Sequence, residues 1–440
     1  MELLPRLVKM GKRLGASDIC VIATDTRYRM IRFANNEVSV SKSMSNTSTD
    51  VYVSVNGRRA INSTTETGRS ALEKLVATTV RMARNSEPSD TYAPLPKGPF
   101  KYDKSLLRHA SSNPSAGEMA EYVGLAIKGG LEAGAARVAG TLSHVVEKRR
   151  LYTSSGVEAS SISSGLEISV RAFSNYESTG HFISVAADER SFKPYEAGLR
   201  AGEIAMMGKK PVSGEAGVYE ALIGPLTFAH LVEQAGLFAS AFYVDAGISF
   251  FAGQIGSEVA SEKLTILDDP TLVGSYGVRA FDDEGVRTRR NTIISGGMLE
   301  GYLHNSGTAK KFGTSTTANA GLIIPHPFNL YVQPGDKNLD QLISSIDRGI
   351  WVTNDWYLRY QNYRSGEFST IPRDGMFVIR SGSIEKAVKD LRISDNILGI
   401  LRGVRDVGRD CTWVKWWEVE IPTYAPAVTV ERVNFTTSAF

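Results

Sequence analysis

His230 and Glu233 stand three positions apart in a long apolar stretch, the spacing that puts two side chains on one face of a helix. A His-x-x-Glu pair can chelate zinc or iron when neighbouring helices add ligands. The simpler expectation is a hydrogen-bonded pair in a half-buried wall, because the chain has no H-E-x-x-H and no second ligand pair. The remaining histidines, at 109, 144, 181, 304 and 326, are isolated in sequence. Cys411 reads as a packed thiol, since zinc sites use three or four protein ligands. Asp268-Asp269-Pro270 and Asp282-Asp283-Glu284-Gly285 could be an acidic metal cluster. They read more simply as turns, where Asp caps its own backbone and Gly takes positive φ. Residues 401–417 set Arg402, Arg405, Arg409 and Lys415 beside Trp413, Trp416 and Trp417. Basic plus aromatic can bind single-stranded nucleic acid. Asp406, Asp410, Glu418 and Glu420 nearly balance that charge, so an interface or channel lining is the expectation. No G-x-S-x-G elbow and no phosphate-binding P-loop occurs, which leaves serine-triad and nucleotide hydrolysis without support.

The element that must position His230 and Glu233 opens at Pro225, a good first-turn residue. Phe228, Leu231, Ala235, Phe238 and Phe242 recur at helical spacing. Glu233 and, if protonated, His230 are the only charged groups from 226 to 244, which marks a buried helix at the centre of its domain. Before it, the pattern predicts a helix over 1–14, strands over 18–24, 27–41 and 50–56, a turn at Asn56-Gly57, a return strand over 58–63 and a helix over 70–84. Four prolines between 88 and 99 make a stiff connector. A helix over 115–133 follows, with Ser115 and Glu118 as a capping box. Strands over 137–152 and 156–174 and a helix over 195–206 complete a second unit. Lys209-Lys210-Pro211 marks a boundary. Beyond the buried helix, hairpins are expected over 292–304 and 375–388, a strand over 330–332, helices over 339–348 and 395–404, and a strand over 427–435. The expected class is α+β: two small N-terminal α+β units (1–100 and 101–210), then a large antiparallel sheet or barrel-like domain (211–440) around the buried helix.

Composition is that of an ordinary folded protein, with 42% hydrophobic and 22% charged residues. A net charge of +3 is too small to argue for nucleic acid. Two cysteines, Cys20 and Cys411, suit a reducing interior. The first fifteen residues lack a signal peptide's apolar run, and no run of about 18 apolar residues exists to span a membrane. A cytoplasmic location without membrane partners is therefore expected.

Over nearly its whole length, and most strongly over 249–335, the chain resembles the TldD/TldE (PmbA) metalloprotease family. The family's S-x-F-x-G-Q-x-G is present as Ser249, Phe251, Gly253, Gln254 and Gly256. Asp268-Asp269-Pro270 and Phe281 to Gly285 match its acid pair and turn. Its I-x-x-G-x-L-x-G-Y hairpin matches Ile294, Gly297, Leu299, Gly301 and Tyr302. Its T-G-N-A appears as Thr317-Ala318-Asn319-Ala320, with the glycine replaced, and its N-x-x-x-x-P-G as Asn329, Pro334 and Gly335. The catalytic TldD member carries H-E-x-x-x-H before the first of these motifs. Here that stretch falls on 232–237: Glu233 remains, but both histidine positions are aliphatic, Val232 and Leu237. Neither side chain has a lone pair for zinc. Cys411 lies near the place of the family's C-terminal ligand cysteine, but Thr-Trp-Val-Lys-Trp follows it instead of that motif.

The resemblance therefore implies the non-catalytic TldE (PmbA) type. It has no zinc of its own, a vestigial Glu233, and a TldD-like partner that holds zinc. Together the two would take extended, unfolded peptide, which can pair with strand edges whatever its sequence. Two alternatives remain open. One is an autonomous metallopeptidase with a site rebuilt around His230, Glu233 and perhaps Cys411. The other is a nucleic-acid-associated regulator, suggested by the family's old label as a modulator of DNA gyrase.

Overall fold

The computed structural model describes residues 3–175 and 177–437. Helix Leu3–Arg13 leads into strands Asp18–Ala34 and Glu37–Val55, which pair antiparallel along their whole length. The turn falls at Asn35-Asn36, with φ of 52° and 67°. It lies inside the stretch expected as one strand over 27–41, and the break expected near Asp25 does not exist. Asparagine tolerates the left-handed conformation, so two of them make a tight turn without the glycine that would have advertised it. Asn56-Gly57 makes the next turn, into Arg58–Thr64. Helix Arg69–Asn85 closes this half.

The second half runs through helix Ala116–Glu132, strands Arg137–Thr153, Glu158–Asn175 and Ser178–Ala186, and helix Pro194–Met207. Ser115 and Glu118 form the expected capping box. Strand Ser178–Ala186 had no counterpart in the sequence reading. The two halves share one seven-stranded sheet, because Asp18–Ala34 pairs with Arg137–Thr153 from Cys20↔Thr153 to Phe33↔Gly140. Each half keeps its own apolar cluster under its helices, one around Ile19, Val51 and Val76, the other around Leu142, Ile168 and Ala201.

The C-terminal region is a fourteen-stranded, mainly antiparallel sheet. Its longest strand, Val419–Thr437, lies between Gly217–Ile223 and Leu330–Val332 and also pairs with Leu391–Asn396 and Val404–Trp416. It extends well beyond the expected 427–435. Strands Asp355–Asn362, Glu367–Pro372 and Val404–Trp416 were not anticipated. The helix expected over 339–348 ends at Ser344. Gly349 does not stop it but sits in strand Arg348–Val352, where a Cβ would stand 2.5 Å from the Glu220 carbonyl oxygen. The helix expected over 395–404 is only Ile397–Arg402.

Helix Pro225–Phe238 is buried in the largest apolar cluster, with Phe228, Leu231 and Ala235 packed among residues such as Phe251, Leu330 and Val430. It stops short of Phe242, which belongs to the short helix Ala241–Asp245. The break has a cause in the neighbouring loop. Leu303 N–H donates to the Ala239 carbonyl, Ala241 N–H donates to the Leu303 carbonyl, and Ser240 Oγ donates to the Pro325 carbonyl.

Candidate functional site

His230 and Glu233 do share a helix face, but they are fully interior rather than half-buried, and each bonds elsewhere. His230 Nδ1 lies 2.9 Å from Asp355 Oδ2, which also accepts from Thr370 Oγ1 at 2.8 Å. Burial opposes a charged imidazole, yet the carboxylates around it, Asp355 first and then Glu233 and Glu418, together hold the His230 pKa above its ordinary value. Glu233 Oε1 accepts the Ile421 backbone N–H at 2.7 Å. Burial pushes the Glu233 carboxyl up to about 7, against the opposing pull of that N–H and of His230. The donor comes from the hairpin of strands Val404–Trp416 and Val419–Thr437, whose end lies against the buried helix.

Val232 and Leu237, which the resemblance sets against histidines, are apolar in their surroundings too. Val232 is fully buried, and Leu237 packs against the same cluster. Cys411 sits opposite Pro426, with its thiol pushed up to about 12 by burial and by Asp410. Among the described residues, no three His, Cys, Asp or Glu side chains come together as a ligand set. The residues present therefore do not fit zinc, and a site combining His230, Glu233 and Cys411 is not assembled.

The other motif residues build structure around the helix. Ser249 Oγ donates to the Phe238 carbonyl at 2.6 Å and accepts from Phe251 N–H, which ties the first motif to the helix end. Tyr302 Oη donates to the Phe251 carbonyl and accepts from Gly253 N–H. Gly253 and Gly256 take φ of 74° and 75°, so the motif's glycines meet a backbone demand. Asp268 accepts from Phe328 N–H, Asn329 N–H and Asn319 Nδ2, which joins three of the motifs in one buried knot. Burial nonetheless raises its carboxyl to about 6. Asp269 accepts from Thr271 N–H, and Asp282 from Glu284, Val286 and Ala320 N–H. These acids build turns and join them. Ala318, where the family motif has glycine, adopts φ of 60°.

The basic and aromatic segment is mostly engaged. Arg405 pairs with Glu220, Arg402 donates to the Glu258 carbonyl, and Lys415 pairs with Glu167 at 3.3 Å. Trp416 is buried against His181 and Trp356, while Trp417 remains 59% exposed against Trp356 and Tyr357.

Between the N-terminal sheet and the C-terminal region lies a cleft of about 440 Å³. Val145, Glu147 and Ser163 line it from the sheet; Tyr276, Phe328, Lys415 and Ile421 line it from the other side. Ile421 is also the residue whose N–H holds Glu233, so the cleft borders the helix at that position. Nearby, Asp374 pins the two regions together, bonding Arg171 and Thr179 of the sheet and Asn354 of the C-terminal region. Sequence reasoning missed Asp355, Asp374 and Ile421. The two acids sit in stretches without periodicity, and a backbone donor leaves no side-chain signal.

Comparison with known proteins agrees with this architecture. A family model described as the PmbA/TldA metallopeptidase C-terminal domain matches residues 216–437, and one described as PmbA/TldA metallopeptidase domain 1 matches 21–83. A metalloprotease of Methanothermobacter thermautotrophicus is 34% identical over 227 residues, 49% of this chain and 48% of that one. The metalloprotease PmbA of Escherichia coli O157:H7 is 29% identical over 194 residues, 42% of this chain and 41% of its own. The chain thus spans about half the length, or less, of these curated relatives. In three dimensions, TldE from Thermococcus kodakarensis superposes with a TM-score of 0.83 at 20% identity, covering 99% of this chain and 100% of its own. A candidate modulator of a DNA gyrase from Thermotoga maritima gives 0.84 at 24% identity, covering 99% of each chain. At such identities these two establish the fold alone. No helix among the described residues is long and apolar enough to cross a membrane. With its C-terminal half matched by that model and its first strands by the companion one, the chain belongs to the PmbA/TldD metallopeptidase family.

Proposed function

We propose that this chain is a non-catalytic, TldE-like subunit of a two-component zinc metallopeptidase that degrades or trims unfolded peptides. Its partner is a TldD-like subunit that holds the zinc. The observation that carries this reading is the helix itself. Val232 and Leu237 offer no lone pair where a catalytic relative has ligands, and the retained Glu233 is tied to Ile421. A carboxylate held by a backbone donor inside an apolar cluster is poorly placed to activate water. The chain's contribution is a wall: the cleft beside Ile421 has the face of the N-terminal sheet on one side and Tyr276, Phe328 and Pro422 on the other, room for a segment of polypeptide held by its side chains. Its own cofactor complement is none, and its working place is the cytoplasm.

The test is co-purification from the source cells, with zinc analysis and peptide cleavage measured with and without the co-purifying subunit. A zinc-containing TldD-like partner, and cleavage only when it is present, is the expected result. Cleavage by this chain alone, abolished by a chelator and by Glu233→Gln, overturns it.

A further inference from the structure

The cleft's charges are unevenly spent. Three cations reach it, Arg149, Arg279 and Lys415. All three already have carboxylates. Arg149 and Arg279 both pair with Asp283, at 2.5 and 2.8 Å, and Arg279 also lies over the Phe328 ring. Lys415 pairs with Glu167 and sits 5.4 Å from the centre of the Tyr276 ring. The lining carboxylates are in the opposite state. Glu147, half-buried on the sheet, and Glu420, exposed beside Ile421, have no ion pair and no side-chain hydrogen bond among the described residues. Strand alternation explains why Glu147 faces the cleft. Val145, Glu147 and Arg149 share one side of their strand, opposite Gly165, Ser163 and Ser161 on the next. Val145, Val278, Phe328 and Pro422 supply apolar wall between the charges.

We infer that this cleft selects extended peptide segments bearing a lysine or arginine side chain. Its aliphatic stem lies along the apolar wall, and its cationic head is met by Glu147 and Glu420. This deepens the peptide-binding reading above and rests on it. A cation entering finds two unneutralised carboxylates. An anion finds its potential partners already held, and the two carboxylates repel it. Cation stems cover apolar surface readily while the head stays hydrated. The same head group could come from a free polyamine, which has no backbone for the cleft to bind.

The test uses the full chain without any partner and three fluorescent, unstructured peptides of equal length, built from Gly-Ser-Lys, Gly-Ser-Gln and Gly-Ser-Glu repeats. Anisotropy titrations give their affinities, and spermidine is the competitor. The lysine peptide is expected to bind roughly tenfold tighter than the glutamine peptide, the effect of two partly exposed ion pairs, and the glutamate peptide weakest. Glu147→Gln with Glu420→Gln brings the lysine peptide to the level of the glutamine one. Circular dichroism checks that this variant keeps the fold. Glu420→Lys, at an exposed position, reverses the order. Equal binding of all three peptides, a preference for the glutamate peptide, no measurable binding, or displacement by spermidine at the peptide's own concentration overturns the inference. Because no partner is present, a lysine preference stands even if no zinc subunit co-purifies. A co-purifying zinc subunit likewise leaves the subunit reading intact if the preference is absent.

Discussion

Glu233 is an acid whose neighbours disagree about its charge. Burial favours the neutral form and raises its pKa to about 7, while the Ile421 N–H and His230 favour the carboxylate. In an unfolded chain a glutamate titrates near 4.3. Between those values the folded state holds more protons than the unfolded one, so stability falls as pH rises from about 4.5 to about 7. His230 acts in the same direction. Its pKa is raised above the unfolded value, so its contribution is complete below about 6.5 and is lost as pH rises through the folded value. Urea denaturation at pH 5.5 and at pH 8 reads the Glu233 contribution as a difference between the unaltered chain and a variant, because His181 and His304, with pKa values lowered by burial to about 4, act in the opposite sense. Glu233→Gln keeps an acceptor for Ile421 and removes one titration. It should reduce the stability lost between pH 5.5 and pH 8 by about 2 kcal/mol, less whatever relaxation of the site takes up. An unchanged slope would mean that Glu233 is charged throughout.

At the scale of elements, short local signals and close approaches do separable work. Ser115 accepts the Glu118 N–H, and Glu118 returns a bond to the Ser115 N–H. Ser115→Ala should cost about 1 kcal/mol in thermal or urea unfolding, the usual loss for an N-cap. Gly349 behaves differently, because its neighbour is main chain that cannot step aside. A Cβ 2.5 Å from the Glu220 oxygen would push apart the parallel pair Gly349–Val352 and Glu220–Ile223. Gly349→Ala should cost more than Ser115→Ala, about 2 kcal/mol or above, the range of overpacking in a filled site. A smaller loss would show that this strand pair can slide.

For the whole molecule, the shared N-terminal sheet has the largest consequence. The units 1–100 and 101–210 each have a helix pair over an apolar cluster, which is why the sequence reads as two units, but Ile31 and Phe33 enter the second cluster and Tyr152 the first. Yet the strand Asp18–Ala34 finds its second neighbour only in the later unit. Cut at residue 100, the first unit would expose a long unpaired edge, and such edges aggregate. A fragment of residues 1–100 should thus show no cooperative unfolding by circular dichroism. Residues 1–210 should unfold in one transition. Two independent transitions in the longer fragment would contradict this coupling.

Local decisions are legible in the order of residues alone. The apolar spacing of Phe228, Leu231 and Ala235 specified a buried helix, Ser115 and Glu118 specified a helix start, and Asn56-Gly57 specified a turn. The same order also showed that positions 232 and 237 hold no donor atoms, because valine and leucine lack them in any fold. Tertiary structure alone decided what those elements face. Asp355 reaches His230 from 125 residues away, and Ile421 reaches Glu233 from 188. The physical reason is one of range. Periodicity and capping act within a few residues of chain, whereas the partner of a buried charge and the walls of a cleft come from distant strands that meet only when the sheets close.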